Sequence, residues 1–260
     1  TGQGGSLGAS FFTAPNPPFG AVFTYYLREE AKTLAKVRRA AEKDIPSPAI
    51  PTWEALKAEA LDEAPSVILT VTDDSDQPVR RVEGPAKAGM QRVAWDLRYP
   101  SPEPVSLKTQ ERDPWDNEPV GPLVAPGTYR VALALQAHGK TVPLGDPQSF
   151  QVAPLGAEAF TPDLQRFHQE VARLQRAVTG SSQVIEETEQ RLKHLRKAIL
   201  ETPRSAPEWN ERLQALTARL ADLKAELDGD PVKARYQAAT LPAIADRLSR
   251  LVNAAWQVTT

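Results

Sequence analysis

Apolar and polar positions alternate with a period of two in the first part of the chain, and with a period near three and a half after Pro154. The first period is typical of half-buried β-strands, and the second is typical of helices that pack along one stripe. We therefore expect an α+β multi-domain fold. A linker at residues 1–18 precedes an Ig-like antiparallel β-sandwich at 19–153, and an antiparallel bundle of about three long helices follows at 154–260.

About seven strands with regular turn signals are predicted, which is the pattern of a sandwich. The clearest strands are residues 19–27, 67–72, 78–82, 90–97, 128–135 and 148–152, with a further hairpin turn at His138-Gly139. Within residues 19–27 the alternation places Val22, Thr24 and Tyr26 on one face. Trp95 is expected in the core, with Asp96 and Arg98 as an outward-facing polar pair. Tyr129 is expected to be a corner tyrosine whose hydroxyl bonds to the backbone.

A helical insertion is predicted between the first two strands, at about residues 28–64. Residues 28–44 are mostly good helix formers, with an apolar stripe at Leu34, Val37 and Ala41. A second short helix is expected to start with Thr52 as its N-cap. The proline-rich residues between the two helices cannot be helical.

Three signals mark the start of the first long helix, which are Thr161 at the N-cap, Pro162 at the first helical position and Asp163 in the first turn. Its apolar positions then follow steps of three and four residues, which is a heptad seam. The seam comprises Leu164, Phe167, Val171, Leu174, Val178, Ser181, Ile185, Thr188, Leu192, Leu195 and Ile199. Such a helix is about 55 Å long unless Gly180-Ser181-Ser182 bends it.

Two further long helices are predicted after the first. The second begins near Pro207, ends at Gly229 and has its seam at Trp209, Leu213, Leu216, Leu220, Leu223 and Leu227. The third opens with Asp230-Pro231 and has its seam at Leu241, Ile244, Leu248, Leu251 and Ala255, with Pro242 starting or kinking a segment. Because the connecting loops are short, neighbouring helices are expected to be antiparallel.

Composition excludes several classes of function. A formal net charge of -2 offers no general attraction to nucleic acid. The absence of cysteine excludes disulfides, thiol catalysis and cysteine-based zinc sites. No apolar segment reaches the roughly 18 residues that a membrane span needs, and the N-terminus has no signal-peptide pattern. We therefore expect neither a nucleic-acid partner nor a membrane span.

The strongest candidate for ligand contact is a loop tryptophan among carboxylates, Trp115 with Asp113 and Asp116. Such a tryptophan can stack on a sugar ring or help to hold a cation, although a tryptophan that pins the loop to the sandwich is the favoured interpretation.

Other candidate sites have simpler structural explanations. Asp73, Asp74 and Asp76 could offer oxygen ligands to calcium, but these residues also favour a hairpin turn. The histidines at 138, 168 and 194 have no ligand spacing and are interpreted as surface residues. Ser6 lies in a Gly-x-Ser-x-Gly pattern that lacks the strand and helix of a nucleophile elbow. We predict no catalytic residue, no metal site and no cofactor.

The run from Asn16 to Leu27, the segment from Gly89 to Arg98 and the segment from Gly121 to Leu133 resemble a known family. They are similar to the region that follows the β-propellers in large bacterial BNR-repeat or sortilin-type proteins known as glycosyl hydrolases. The same segments also resemble the Ig-like domain of the flagellar hook-capping protein. The resemblance covers roughly residues 12–153, and the helices only by position and character.

The resemblance implies a C-terminal accessory region of a larger, exported protein, which is extracellular or periplasmic. Its N-terminal propeller domains would be the partners of this chain, and any hydrolase activity would belong to them. No segment here matches the propeller Asp-box motif, so no catalytic residue is carried over. We expect a non-catalytic structural or interaction module. The alternatives are a carbohydrate-binding accessory module of a glycoside hydrolase and, ranked lowest, a hydrolase fragment.

The seams leave one question open. Leucine-rich stripes are usually internal core, but a first helix longer than the second leaves apolar surface that needs cover. Cover could come from self-association, from a protein partner or from the propellers.

Overall fold

The computed structural model describes residue 17 and residues 19–105, 120–154 and 161–257, with the backbone alone at 256 and 257. It contains α-helices and antiparallel β-sheets in two compact units. The first unit comprises residues 19–99 and 126–154, and the second comprises residues 100–105, 120–125 and 161–257.

The described part of the first unit contains seven strands, and all of their pairings are antiparallel. They are β1 Ala21–Leu27, β2 Ser66–Thr72, β3 Pro78–Pro85, β4 Gly89–Trp95, β5 Gly127–Ala137, β6 Lys140–Pro143 and β7 Gln148–Val152. Strands β1 and β4 form one sheet. In the other sheet the order is β3-β2-β5, and β6 and β7 both pair with the long strand β5. The predicted strands and both predicted hairpins are confirmed.

Aromatic side chains from both sheets form the core of this unit. Phe23 of β1, Trp95 of β4, Tyr129 of β5 and Phe150 of β7 lie with ring centroids 5.3–6.2 Å apart. Mostly edge-to-face contacts of this kind add to the burial energy of the rings. Trp95 is 1% exposed, which confirms the prediction that it is a core residue.

Gly20 shows why the segment before β1 needs a glycine. Its φ is +106°, and a Cβ placed on it would lie 1.9 Å from the carbonyl oxygen of Trp95. Only a residue without a side chain can make this approach to the backbone of β4. Strand β1 also contacts the end of β3, because the Tyr25 hydroxyl donates a hydrogen bond to the carbonyl of Pro85 at 2.7 Å.

Asp96 and Arg98 differ from the prediction of an outward-facing pair, because both are partly buried. The Asp96 carboxylate accepts a hydrogen bond from the Arg98 backbone N–H at 3.2 Å, and the Trp95 indole donates to the Arg98 carbonyl at 3.0 Å. The two residues therefore shape the turn after β4. Tyr129 is buried as expected, and its corner role remains a prediction.

The insertion contains two short helices, α1 Leu34–Glu42 and α2 Trp53–Ala60. The predicted start at residue 28 is wrong, because the Ala31 N–H donates to the Ala86 carbonyl at 3.0 Å and the helix begins only after the Thr33 cap. The predicted stripe residues Leu34, Val37 and Ala41 are exposed. Thr52 caps α2 as predicted, by accepting the Ala55 N–H at 3.2 Å.

Arg38 fixes α1 against α2. Its guanidinium donates to both carboxylate oxygens of Glu59, at 2.6 and 3.0 Å, and to Glu42 at 2.7 Å. The hydrogen bonds from Arg38 lower the pKa of Glu59. A bidentate pair of this kind defines the angle between the two helices.

The second unit contains four helices in its described part. They are α3 Pro162–Glu201, α4 Glu208–Asp228, α5 Pro231–Arg235 and α6 Ile244–Gln257. Thr161 caps α3 as predicted, with Leu164 N–H donating to its hydroxyl at 3.2 Å. The 40 residues of α3 continue without interruption through Gly180-Ser181-Ser182, which gives a helix about 60 Å long.

The direction of the last helix differs from the prediction that neighbouring helices are antiparallel. Helix α4 is antiparallel to α3, because Ser182 contacts Asp228 and Glu189 contacts Lys224. Helix α6 is also antiparallel to α3, because Leu248 packs with Val178 and Ile185 while Ala255 bonds to His168 farther down. Helices α4 and α6 therefore run in the same direction, one after the other, along α3.

The segment between α4 and α6 explains this arrangement. The predicted opening at Asp230-Pro231 is correct, but the helix that starts there ends at Arg235. The chain then returns to the point where α4 ended, since a Cβ on Gly229 would lie 3.8 Å from the Cβ of Ala243. Leu241, predicted as a seam residue, is exposed on this excursion. A new helix starts after Pro242, as predicted.

Candidate interaction surface

Each predicted seam is divided by the structure into a buried and an exposed column. We call the buried set the inner columns, whose most deeply buried residues are 5–9% exposed: Val171, Val178 and Ile185 of α3, Leu213 and Leu227 of α4, and Leu248 and Ala255 of α6. We call the alternate set the outer columns, whose residues are 41–56% exposed: Phe167, Leu174 and Leu195 of α3, Trp209, Leu216 and Leu223 of α4, and Ile244 of α6.

The outer columns occupy the same rotational position on every helix. Each outer residue lies four positions before an inner position, as Leu174 does before Val178 and Leu223 does before Leu227. At about 100° per residue, four positions place each outer residue about 40° around the helix from its inner residue, always in the same sense. Two facing antiparallel helices are related by a two-fold axis perpendicular to both. Equivalent positions therefore lie on the same face of the pair, and the outer columns form one apolar surface.

The opposite face is polar, which agrees with this symmetry. Glu189 and Lys224 lie four positions after the inner positions Ile185 and Leu220, and their charged groups meet at 2.9 Å. The hydrogen bond to Glu189 raises the pKa of Lys224. One face of the α3–α4 pair thus carries a salt bridge, and the other carries leucines and a tryptophan.

His168 is the clearest correction among the predicted surface residues. Its side chain is buried on α3, and its imidazole is hydrogen-bonded to the backbone of Ala255 on α6. Burial lowers its pKa, and the hydrogen bond opposes that effect. The residue lies four positions after Leu164 and three before Val171, so helical spacing places it beside the predicted seam, but its polar side chain was no indication of burial.

The exposed His138 of the first unit pairs with an aspartate whose side chain is buried. Its Nδ1 lies 3.2 Å from Oδ1 of Asp62, whose carboxylate is 1% exposed. The other carboxylate oxygen accepts the Leu34 N–H at 2.6 Å, at the start of α1. Asp62 thus connects the helical insertion to the β5–β6 turn, and both of its observed partners have structural roles.

The aspartates of the β2–β3 turn stabilise that turn. Asp73 accepts the backbone N–H groups of Ser75 and Gln77 at 3.0 and 2.9 Å, and Asp76 pairs with Arg130 at 2.6 Å. Within the described ranges there is no group of three or more histidine, aspartate or glutamate side chains arranged to hold a metal ion.

The structure brings together none of the predicted ligand-contact residues, because Trp115, Asp113 and Asp116 lie outside the described residues. Ser6 lies outside them as well. Among the helices of the described chain, none has a stretch of sufficient length and hydrophobicity to cross a bilayer.

No family model, curated protein or solved structure matches the chain. The similarity of residues 12–153 to the regions that follow BNR-repeat propellers therefore stays a prediction. Among the described residues, the surface formed by the outer columns is the strongest candidate for an interaction site.

Proposed function

We propose that this chain is a non-catalytic structural and interaction module, the C-terminal part of a larger exported propeller protein. In this proposal the two sheets are an Ig-like sandwich that acts as a rigid spacer, and the three long helices form a bundle whose outer columns bind another surface. The observation that carries the proposal is the apolar face itself. Its seven large side chains lie on three helices, and their heptad spacing is that of a helix-packing surface.

The aromatic contacts support the sandwich. Rings from β1 and β4 pack on rings from β5 and β7, as expected where two sheets share a core. The residue resemblance supports the parent protein, because it places this region after propeller domains that would be its neighbours in the same chain. An open reading frame with propeller repeats upstream of Thr1 is the outcome we expect.

The second candidate function is a carbohydrate-binding accessory module, which the cluster of Trp115 with Asp113 and Asp116 favours. A glycan array separates the two proposals. We expect the full chain to retain no glycan. Retention that is abolished in Trp115→Ala and kept in Trp53→Ala would replace the structural proposal with the carbohydrate-binding one. Trp53 is a suitable control because it is 84% exposed on α2.

A further inference from the structure

The apolar face of the helices supplies most of the area that a stable interface between two proteins needs. Its seven residues each still expose on the order of 80–100 Å², which sums to roughly 600 Å² before the flanking residues are counted. A standard interface buries about 800 Å² on each partner. Occupants that cover only one or two of these side chains would leave most of the face in water.

The symmetry of the face fits a second copy of the chain. A two-fold axis parallel to the helices places α3 of one copy on α4 of the other. Because α3 and α4 are antiparallel within one copy, every neighbouring pair in such a dimer is antiparallel as well. This is the arrangement of a four-helix assembly, in which both columns of each seam are buried.

The level of each residue along the helices also agrees with self-association. The contact between Glu189 and Lys224 defines which residues of α3 and α4 lie at the same height. Leu216 lies close to the height of Leu195, and Leu223 close to that of Thr188. In the dimer, Leu223 of one copy would therefore pack on a small threonine of the other. This alternation of large and small side chains lets facing layers interlock.

Charge does not oppose the contact. The flanking positions of α4 carry Arg212, Arg219 and Glu226, and those of α3 carry Glu170 and Arg191. Both signs are present along each edge, and the formal net charge of the whole chain is only -2. Two copies thus meet no strong repulsion of like charge.

We propose that the outer columns of α3, α4 and α6 form a homodimer interface with a two-fold axis parallel to the helices. The proposal rests on the proposed interaction module and names its partner as a second copy of this chain. In this dimer the inner column of each seam packs against helices of the same copy, and the outer column packs against helices of the other copy.

Sedimentation velocity of the full chain over a wide range of concentration tests this interface. We expect the wild type to be a dimer. Leu195→Lys and Leu216→Lys should each weaken the dimer on the order of a hundredfold, because a symmetric interface contains every substitution twice. Leu200→Lys is the matched control, since Leu200 is also an exposed leucine of α3 but lies on the other side of the helix. Far-UV circular dichroism checks that each variant keeps its helices.

Two results would overturn the interface. One is a wild type that stays monomeric at every concentration, and the other is a Leu200→Lys variant that dissociates as much as Leu195→Lys does. A monomeric wild type whose outer columns bind the upstream propeller region would overturn the homodimer and leave the proposed function standing. Glycan retention that requires Trp115 would instead remove the proposed function.

Discussion

The sheets and the helices bury their cores to different depths. In the described part of the first unit, Trp95, Leu69, Val67 and Val71 are less than 2% exposed. In the second unit the most deeply buried inner-column residues are 5–9% exposed, and the seven outer-column residues are 41–56% exposed. The first unit covers its central strand β2 with β3 and β5 and packs aromatic rings from both sheets together. In the described helices the inner columns are buried by the neighbouring helices, whereas the outer columns are exposed.

This difference separates two kinds of stability. A closed core contributes its full burial energy in a single copy, whereas the outer columns contribute only when another surface covers them. The first unit should therefore be insensitive to protein concentration, and the second should respond to it. The two cores can therefore be tested separately.

The largest loss of stability is expected from a substitution at the centre of the first unit. Trp95→Ala removes a ring that contacts Tyr129 and Phe150 and leaves a cavity, which should cost about 3–5 kcal/mol. Hydrogen-exchange mass spectrometry of peptides from β2 and β5 measures the loss where it occurs. Trp53→Ala is the control and should change protection there by less than about 0.5 kcal/mol. Equal effects of the two substitutions would show that the first core is not closed around Trp95.

In the helices, a smaller difference in stability is expected between substitutions in the inner and outer columns, and this difference should depend on protein concentration. Leu227→Ala truncates an inner-column residue that packs with Val178, Ile185 and Leu248 and should cost about 2–3 kcal/mol of unfolding free energy. Leu223→Ala, one turn earlier on the same helix, should cost less than about 0.5 kcal/mol in dilute solution. Urea unfolding followed by circular dichroism at 222 nm measures both. If Leu223→Ala were as costly as Leu227→Ala at the lowest concentration, the outer column would already be covered within one copy.

The local features of both units could be predicted from sequence, because they depend on neighbours in the chain. Thr161 and Thr52 cap their helices through backbone N–H groups three residues away, and the alternation around Trp95 places it inside. A heptad pattern also identifies the stripe on each helix. It does not tell which column a given neighbour covers, since Leu223 and Leu227 are equally apolar.

Features that depend on distant contacts could not be predicted. The direction of α6 is determined by the return of the chain from Gly229 to Ala243, and no local pattern encodes that closure. His168 was expected at the surface because it is polar, but contact with α6 buries it. The late start of α1 follows from the bond between Ala31 and Ala86, which joins residues far apart in sequence. The candidate loop around Trp115 stays a prediction.

The smallest expected effect is the pH dependence of stability that His168 causes. It tests how α6 covers the inner column of α3. Burial lowers its pKa below the ordinary value of 6.5, so the folded state binds the proton less readily than the unfolded state does. Its contribution to stability is therefore complete above pH 6.5 and is lost as the pH falls through the folded-state pKa. The free energy of unfolding of the helices should decline over that interval. His168→Leu should flatten the decline over this interval, because the leucine side chain binds no proton in either state.

His194→Leu is the matched control for this titration, since His194 is an exposed histidine of the same helix. The slope measured for this variant is the reference for His168→Leu. Urea unfolding at a series of pH values gives the slope for each variant, and the slope is compared rather than the absolute stability because His168→Leu also changes packing. A wild-type slope that survives in His168→Leu would show that the decline does not come from His168.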